Sequence, residues 1–530
     1  MSMLAYSLPF DDTDLFFPVT KLFNLLISRL KVKETNDMTV SELEKFLKEQ
    51  FQNLARETIQ SKMNMIGALE VETIVKGSDG VARPRKKLLE RTVKTIFGDV
   101  TFKRWGYSAE MGSSLFPADG QMNLPPEKYT HEVRRLVSED VTRSSYDEIL
   151  EALSRKSAVT VPKRQGLELA NRAATDFIDF YDDQASTLEY SDVPAKETSP
   201  LLILTTDGKG VVMRHDSLRE ATKKAAEKEC HKLKKRLTAG EKKDRKRMAQ
   251  VASVYTIAPH VRTAEEIAGV TPVLVEKKKQ LPRPEDKRVW ASLEREPDQV
   301  ITEIFQEGQA RDPRHEKQWI ALVDGNKTQL RVLNEQAKAF NVTLTIIIDF
   351  IHVLEYLWKA SHAFYEEGDP LCEQFVSKLL LLLLLGQSSQ VANEIQTMAT
   401  VGELPKAKRK AVDTCASYLL TYKEYLQYDK YLAQGLPIAT GVIEGACRYL
   451  VKDRMDITGA RWGLSGAEAV LRLRSLRASG DFDEYWSYHE KREQERNHNS
   501  KYENGLPRLR DNNSEDACPK KRGHLRLVKG

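Results

Sequence analysis

The feature that most constrains the fold of this chain is a strand–helix–strand pattern in its middle. The segment "WIALVDGNK" predicts a buried strand that ends at Asp324, and "TQLRVLNEQAKAF" predicts an amphipathic helix. "NVTLTIIIDFIHVLEYLW" then predicts a β-branched strand that ends at Asp349 and runs directly into another helix. A strand, a helix and a strand of these lengths form a parallel βαβ unit. The sequence therefore predicts a core with parallel strands in the central part of the chain.

Length, charge and cysteine content limit the number of domains, the possible partners and the cellular compartment. A chain of 530 residues is long enough for two to four domains. Its 82 basic and 77 acidic residues give a net charge of only +5, which says little about partners because nucleic-acid binding depends on where basic residues cluster. The 5 cysteines lie far apart, without a Cys-x-x-Cys pair. This spacing argues against a zinc knuckle or a disulfide framework and is typical of a reducing cytosol.

Neither export nor membrane insertion is predicted. The start "MSMLAYSLPFDDTDLFF" carries acidic residues where a signal peptide needs basic ones. The most apolar run, Leu379 to Leu385, is far shorter than the roughly 20 residues that span a bilayer. It suits a buried helix that ends at Gly386. We therefore expect a cytoplasmic protein without a membrane partner.

The N-terminal part of the chain predicts three successive regions. Residues 1–75 are helical, with Thr39 or Ser41 as a helix N-cap. Residues 76–128 form a small β-rich module with a hairpin around Gly98. Residues 129–190 are helical again, and two short helices flank "SRKSAVTVP" in a pattern that resembles a helix-turn-helix. Lys163 and Arg164 would open its second helix, where base contacts usually lie, but a plain helical pair explains the pattern equally well.

The rest of the chain predicts a mixed domain interrupted by helices. Residues 201–354 begin it and contain a basic segment, 217–249, that is either a solvated arm or a DNA contact. Residues 355–435 form an all-helical insertion, and 436–490 complete the domain. The polar tail 491–530 is predicted to be disordered. The fold class is thus multidomain α+β or α/β.

Acidic residues accompany three elements of this domain. Asp207 follows the apolar strand "LLILTT", Asp324 follows a second strand, and Glu444 lies in the first turn of a helix that begins near Gly441. On local sequence alone, a turn is favoured at Asp207, is as good an explanation at Asp324, and a helix-dipole contact is favoured at Glu444. If the strands are neighbours, however, the carboxylates lie about 5 Å apart and repel unless a cation such as Mg²⁺ separates them.

The segment "DFIH" places Asp349 and His352 three residues apart at a strand-to-helix junction, so they can share a face. Asp349 could orient His352, or both could support a metal site as accessory residues. A helix N-cap aspartate beside a satisfied histidine is the simpler interpretation of these two residues taken alone.

Six longer segments occur in order between residues 200 and 500. They are "TTDGKGVVMR", "RVWASLE", "ALVDGNKTQLR", "IIIDFIHVLEYLWKA", "GLPIATGVIEGACRYLVKDRMDITGARW" and "SGDFDEYW". Together they cover the region in which the chain resembles bacterial insertion-sequence transposases of the ISKra group, which are distantly similar to Mutator-like transposases. The resemblance is more specific than scattered acids, because several of the segments are long.

The resemblance implies a ribonuclease-H-like catalytic domain with an all-helical insertion, preceded by a mainly helical DNA-binding region. Asp207, Asp324 and Glu444 would form the DDE triad and hold Mg²⁺, for which Mn²⁺ can substitute. "DFIH" resembles the family's Cys/Asp-x-x-His signature, which makes Asp349 and His352 accessory. A competing assignment makes Asp349 the second triad member. Asp324 is preferred because the fourth strand of this fold carries the second acid.

The implied activity is metal-dependent DNA cleavage and strand transfer at the terminal inverted repeats of the element. The partners would be end and target DNA, bound by a homodimer or larger assembly in the bacterial cytoplasm near the nucleoid. For Trp462, a position in the protein core is the alternative to DNA binding. The predicted DNA-binding residues are Lys163, Arg164, Lys209, Arg214, Lys327, Arg448, Lys452, Arg454, Arg461 and Trp462.

The sequence departs from the family pattern at one place, and three rival functions are considered. Family members often carry a Cys-x-x-Cys pair where this chain has "GYSAEMGSSLFPADGQMNL", so no zinc is expected. A catalytically silent, domesticated DNA-binding regulator would keep recognition without chemistry, although the three acids argue against it. A ribonuclease-H-like nuclease would cleave without strand transfer. A helical scaffold leaves the acids and "DFIH" unexplained.

Overall fold

The computed structural model describes residues 15–190, 197–228, 238, 241–242, 245–270 and 281–510. The chain divides into two compact units. The first contains Met1–Asp140, Tyr146–Leu169 and Trp486–Gly530. The second contains Val141–Ser145 and Ala170–Tyr485.

The first unit combines long helices with one hairpin. Thr39 caps the third helix, because its hydroxyl accepts from the Glu42 amide at 3.4 Å while the Glu42 carboxylate accepts from the Thr39 amide at 2.8 Å. This confirms Thr39 over Ser41. The hairpin is also confirmed, and it closes at Gly98, whose φ of 113° favours glycine. The elements that begin in this unit are α1 Phe17–Leu30, α2 Lys33–Asn36, α3 Val40–Gly67, β1 Arg85–Thr95, β2 Gly98–Ser108, α4 Pro117–Gln121, α5 His131–Val141, α6 Tyr146–Lys156 and α7 Lys163–Ala173.

A buried carboxylate lies in the hairpin module, within the stretch "GYSAEMGSSLFPADGQMNL". Asp119 accepts from Arg91 at 2.8 Å and from Arg104 at 2.7 Å, and it is only 5% exposed. The Arg104 guanidinium also lies 4.1 Å from the centre of the Phe116 ring. Val93, Val100 and Phe102 lie on the same face of the hairpin as Arg91 and Arg104, and they pack against Met63 and Leu124. Ion pairing and packing thus stabilise this module.

The prediction of a disordered tail from residue 491 is wrong as far as residue 510, and residues 511–530 lie outside the described residues. Helix α21 covers Phe482–Asn497. Its charged residues face a buried cation, because Arg134 contacts His489 at 2.9 Å and Glu493 at 2.8 Å. Further on, Tyr502 is buried against Val75, Tyr107 and Leu115. The polar composition of this segment predicted disorder because it does not indicate these buried contacts.

The second unit contains a five-stranded mixed sheet. Its elements up to the helical insertion are α8 Phe177–Tyr190, β3 Leu201–Val212, α9 Glu220–Glu227, β4 Lys246–Ile257, α10 Ala264–Ile267, β5 Glu285–Ser292, α11 Pro297–Arg311, β6 Gln318–Val323, α12 Lys327–Ala339, β7 Leu344–Ile348 and α13 Phe350–Ser361. The strand order in the sheet is β5-β4-β3-β6-β7. Strands β3, β6 and β7 are parallel, whereas β4 pairs antiparallel with both β3 and β5. The predicted βαβ unit is confirmed as β6-α12-β7.

Helices follow the sheet almost without interruption. They are α14 Pro370–Leu384, α15 Ser388–Val401, α16 Lys406–Thr421, α17 Tyr428–Ala433, α18 Gly441–Ala446, a π-helix at Cys447–Lys452, α19 Asp453–Met455 and α20 Leu464–Ser479. The leucine run lies in α14, where Leu379, Leu383 and Leu384 are buried. Among the described residues, no helix is both long and apolar enough to cross a membrane.

The basic segment 217–249 is described only in part. Helix α9 lies within it, whereas residues 229–237, 239–240 and 243–244 lie outside the described residues. Its last four residues belong to the sheet, since Lys246 pairs with Val212 and Ala249 pairs with Lys209 in the β3–β4 ladder. The predicted arm therefore ends before Lys246.

Candidate active site

Asp207 lies inside strand β3, not after its end. The strand is continuous from Leu201 to Val212, and Asp207 pairs with Val251 of β4. The expectation of a turn at Asp-Gly is therefore wrong. The strand continues through the "DGKG" segment because the distant strand β4 supplies an antiparallel partner for each of its residues. Side chains alternate along a strand, so Asp207 and Lys209 share one face of the sheet.

Asp324 follows β6 on the neighbouring strand. The parallel register pairs Thr205 with Leu322, and two further steps bring Asp207 level with Asp324. Adjacent strands lie about 4.8 Å apart, so the two carboxylates are neighbours as the sequence predicted. Burial raises the pKa of Asp324, and the negative charge of Asp207 raises it further, while the Asn326 amide and His352 act in the opposite direction.

The backbone at Asp324 is held from the helical insertion. The Tyr418 hydroxyl of α16 donates to the Asp324 carbonyl oxygen at 3.0 Å. Gly325 has a φ of +86°, and a Cβ there would lie 2.8 Å from the Tyr418 hydroxyl oxygen. Tyr418 also stacks on Tyr356 with ring centres 4.3 Å apart. Only glycine suits this position, so the Asp-Gly pair is a positioning device for the carboxylate.

Glu444 lies in the first turn of α18, as predicted. Burial raises its pKa, and the negative charges of Asp349 and Asp207 raise it further. One turn further on, the Cys447 thiol donates to Asp207 Oδ2 at 3.2 Å. The Glu444 helix is thereby attached to strand β3, and acids from three distant parts of the chain share one electrostatic environment.

Asp349 and His352 have different surroundings. Asp349 is buried, and its Oδ1 caps α13 by accepting from the Ile351 amide at 2.8 Å. Its Oδ2 accepts from the Thr440 hydroxyl, just before α18. The N-cap interpretation is therefore confirmed, and both carboxylate oxygens are engaged within the protein. The charge of His352 lowers the pKa of both Asp324 and Glu444, so this ring lies close to the acids.

The acids offer the donor chemistry that a hard cation needs. No three His, Cys, Asp or Glu side chains within the described ranges stand in mutual coordinating positions. However, Asp207, Asp324 and Glu444 supply oxygen donors, and the pKa values of Asp324 and Glu444 are raised by burial and by the negative charge of Asp207. A divalent cation would relieve that repulsion. By their donor chemistry, these three carboxylates are the residues that could hold Mg²⁺ or Mn²⁺.

Most of the predicted DNA-binding cations are solvent-accessible. Lys209 is half-buried on the Asp207 face, and Lys163 and Arg164 are exposed in the first unit, paired with Asp147 at 2.6 Å and Glu168 at 3.2 Å. The others with exposed side chains are Arg214, Lys327, Arg448, Lys452 and Arg461.

The prediction that Arg454 and Trp462 bind DNA is wrong, because both side chains are buried. Arg454 is 2% exposed, its Nε donates to the Val141 carbonyl at 2.7 Å, and its guanidinium lies 4.9 Å from the Trp462 ring centre. Trp462 is also buried, with its indole N–H donating to the Met455 carbonyl at 2.9 Å. The core alternative for Trp462 is therefore correct. The helix that carries Glu444 changes pitch at Cys447, because the following turn is π-helical.

Three side chains of the site were not predicted. Cys447 and Thr440 flank Glu444 in sequence, and the three-residue spacing of Cys447 from Glu444 was a usable signal for a shared helical face. Tyr418 carried no signal, because it reaches Asp324 from 94 residues away. Comparison with known proteins adds no identification: no protein-family model and no curated protein matches this chain.

Proposed function

We propose that this chain is a DDE transposase with a ribonuclease-H-like catalytic domain. The sheet supports the fold, because β3, β4 and β5 are antiparallel neighbours while β6 and β7 extend the sheet in parallel on the other side of β3. Asp207 lies on the first strand, Asp324 follows the fourth, and "DFIH" follows the fifth. Glu444 comes after the helical segment. This is the order that the family resemblance implies.

The observation that carries the proposal is the convergence of Asp207, Asp324 and Glu444. They come from separate elements, yet the negative charge of Asp207 raises the pKa of both other carboxyls. No Lys or Arg side chain pairs with any of the three within the described residues. Gathering acids without a paired Lys or Arg is unfavourable unless a ligand compensates, and such perturbed groups mark functional sites.

The protein's own residues would bind and orient the reacting DNA. Lys209, on the Asp207 face, and Lys327, at the start of α12, would attract phosphates. Tyr418 and Gly325 fix the Asp324 backbone, and Cys447 orients the Asp207 carboxylate. When bound, divalent cations would supply Lewis-acid stabilisation of the attacking and leaving oxygens.

Two displacements at phosphorus would follow. In the first, water attacks the phosphodiester at the element's end and the bond to the 3′ oxygen breaks, which leaves a free 3′-hydroxyl. In the second, that hydroxyl attacks a target phosphodiester, so one bond to phosphorus forms as another breaks. The partners would be element ends and target DNA, bound by a dimer or larger assembly in the bacterial cytoplasm. Neither step requires a covalent protein–DNA intermediate.

The test is cleavage and joining of labelled DNA that carries the element's own ends, with Mg²⁺ or Mn²⁺. The native chain is compared with Asp324→Asn and Asp349→Asn. Nicking and joining by the native chain, lost in Asp324→Asn, is the expected result. Activity that survives Asp324→Asn but disappears in Asp349→Asn would transfer the role to Asp349. Cleavage without joining would indicate a nuclease, and end binding without cleavage would indicate a silent regulator.

A further inference from the structure

A basic pocket of about 500 Å³ lies in the second unit, beside the π-helix that continues from the Glu444 helix. Cations line it from three parts of the unit, and none of the described residues that line it is acidic. Lys287 comes from strand β5, Arg474 and Arg477 from α20, and Arg143 from the segment before α6. Tyr449 of the π-helix completes the wall.

Arg474 is held rigidly in this pocket by backbone groups. Its Nε donates to the Leu450 carbonyl at 2.7 Å, and its two terminal nitrogens donate to the Tyr449 and Thr142 carbonyls. Burial, together with the charges of Arg454 and Arg477, lowers the pKa of Arg474 to about 10, while the negative charge of Asp453 acts in the opposite direction. The guanidinium therefore stays protonated at neutral pH. Carbonyl oxygens fix its position without cancelling its charge.

Lys287 adds a second cation at the same wall. Its ammonium lies 3.5 Å from the Tyr449 hydroxyl and 5.5 Å from the Tyr449 ring centre. Within the described residues, neither Lys287 nor Arg474 forms an ion pair with a carboxylate. The Arg477 guanidinium donates to the Thr142 hydroxyl at 3.0 Å, which holds it at the pocket's edge.

Neighbouring cations on the same two elements, β5 and α20, form ion pairs with acidic residues. Arg288, next to Lys287 on β5, pairs with Glu307, and Arg472, two residues before Arg474, contacts Glu294 at 3.1 Å. Those cations face a part of the unit where acids neutralise them. At Tyr449, by contrast, no acidic residue of the described chain lines the pocket and neither Lys287 nor Arg474 is ion-paired, so these two cations point to an anionic ligand.

We infer that this pocket binds a backbone phosphate of DNA and so attaches the substrate to the helix that carries Glu444. The ligand chemistry is a phosphate, and the assignment to DNA rests on the proposed function. Glu444 and Tyr449 are five residues apart, an axial rise of about 7 Å in a helix. Such a contact would hold the DNA close to the catalytic acid without touching the reacting atoms.

The test measures DNA binding by the full chain in the Asp324→Asn background without divalent metal, so that cleavage plays no part. A labelled duplex carrying the element's end is titrated at several salt concentrations. The pocket variant combines Lys287→Gln with Arg477→Gln. The matched control combines Arg331→Gln with Lys378→Gln, which removes two exposed cations from other helices of the same unit. Thermal unfolding of each variant verifies that it remains folded.

We expect the pocket variant to bind about tenfold more weakly, as removal of a charged hydrogen bond to phosphate predicts. The slope of log K against log salt should fall by about 0.9 for each phosphate that the variant no longer neutralises, and the control should keep the native slope. Arg477→Lys, with Lys287 intact, should retain most of the affinity. Equal weakening in the pocket and control variants, or unchanged binding by the pocket variant, would overturn the inference.

Failure of this inference is distinguishable from failure of the proposed function. If the native chain nicks and joins DNA while the pocket variant binds normally, the function stands and the pocket assignment falls. If the chain binds no DNA, the assignment to DNA falls as well. In that case, inorganic phosphate or a free nucleotide that raises the melting temperature of the native chain, but not of the pocket variant, would reassign the pocket to a free phosphate.

Discussion

Asp324 and Glu307 are both carboxylates of the second unit, and their surroundings shift their pKa values in opposite directions. Burial raises the pKa of Asp324, and the neighbouring charge of Asp207 adds to that rise. Burial alone would also raise the pKa of Glu307, but the charges of Arg288 and Arg311 outweigh it and hold the pKa at about 2. Paired cations make Glu307 a structural residue. Asp324 lies among other acids, which is typical of a functional site.

The largest expected effect is that of Asp324→Asn on DNA cleavage. Losing a cation-binding carboxylate should lower the rate at least about a thousandfold, since the bound ion supplies several kcal/mol of transition-state stabilisation. In metal-free buffer the same variant should be at least as stable as the native chain, because a repulsion is removed. Cleavage rates and thermal unfolding measure the two effects separately. A variant that unfolds would contradict the comparison.

Glu307→Gln should show the reverse pattern. It leaves Arg288 and Arg311 without their shared partner, and breaking a buried ion pair in this way costs about 3–5 kcal/mol of unfolding free energy. Chemical denaturation measures the loss. The matched control is Glu335→Gln, whose exposed pair with Arg331 should contribute less than about 0.5 kcal/mol. Similar losses in both variants would show that burial of the pair is unimportant.

The pH dependence of stability should separate the same two carboxyls. Because the folded-state pKa of Glu307 is about 2 and its ordinary value is 4.5, its stabilisation is present above pH 4.5 and is lost as the pH falls towards 2. Glu307→Gln should therefore flatten the stability profile across that window. Asp324 has a raised pKa, so its effect has the opposite sign and weakens the metal-free fold as the pH rises. Unfolding in buffers from pH 2 to neutral tests both signs.

A smaller effect is expected at the turn that positions Asp324. Gly325→Ala should cost about 1–2 kcal/mol from the left-handed backbone, as should Gly368→Ala, whose φ is +87°. The two differ in surroundings, because a Cβ at Gly368 meets no atom within 4 Å whereas one at Gly325 meets the Tyr418 hydroxyl. Only Gly325→Ala should therefore also slow cleavage. Equal activity in the two variants would argue that Tyr418 does not position Asp324.

Local patterns predicted the parts of this fold whose causes are local. The βαβ unit follows from periodicity over consecutive residues, and the Thr39 cap and the Gly98 hairpin follow from short motifs. Asp207 was misplaced because Asp-Gly resembles a turn, and only the distant strand β4 shows that β3 continues. The tail was misjudged because its charged residues face buried Arg134, which lies more than 350 residues earlier.

The candidate site shows the same difference between local features, which could be predicted, and long-range contacts, which could not. Its acids could be predicted because each adjoins an element with a clear pattern, and the family resemblance placed them in order. The contacts that orient them could not be predicted, because Tyr418, Thr440 and Cys447 reach Asp324, Asp349 and Asp207 across large sequence separations. Arg454 and Trp462 were predicted to bind DNA because they are basic and aromatic. Their burial depends on tertiary packing, which the local sequence does not indicate.

The most direct test of the central claim is the melting temperature of the native chain in Mg²⁺ and in chelator, compared with Asp324→Asn and with the exposed-acid control Asp298→Asn. If the acids are gathered to hold a cation, Mg²⁺ should stabilise the native chain and Asp298→Asn alike, by about 2.7 kcal/mol at a hundredfold excess over the dissociation constant. Asp324→Asn should lose most of that stabilisation. An equal response in all three chains, or no response in the native chain, would contradict the assignment of these acids as a metal-dependent catalytic site.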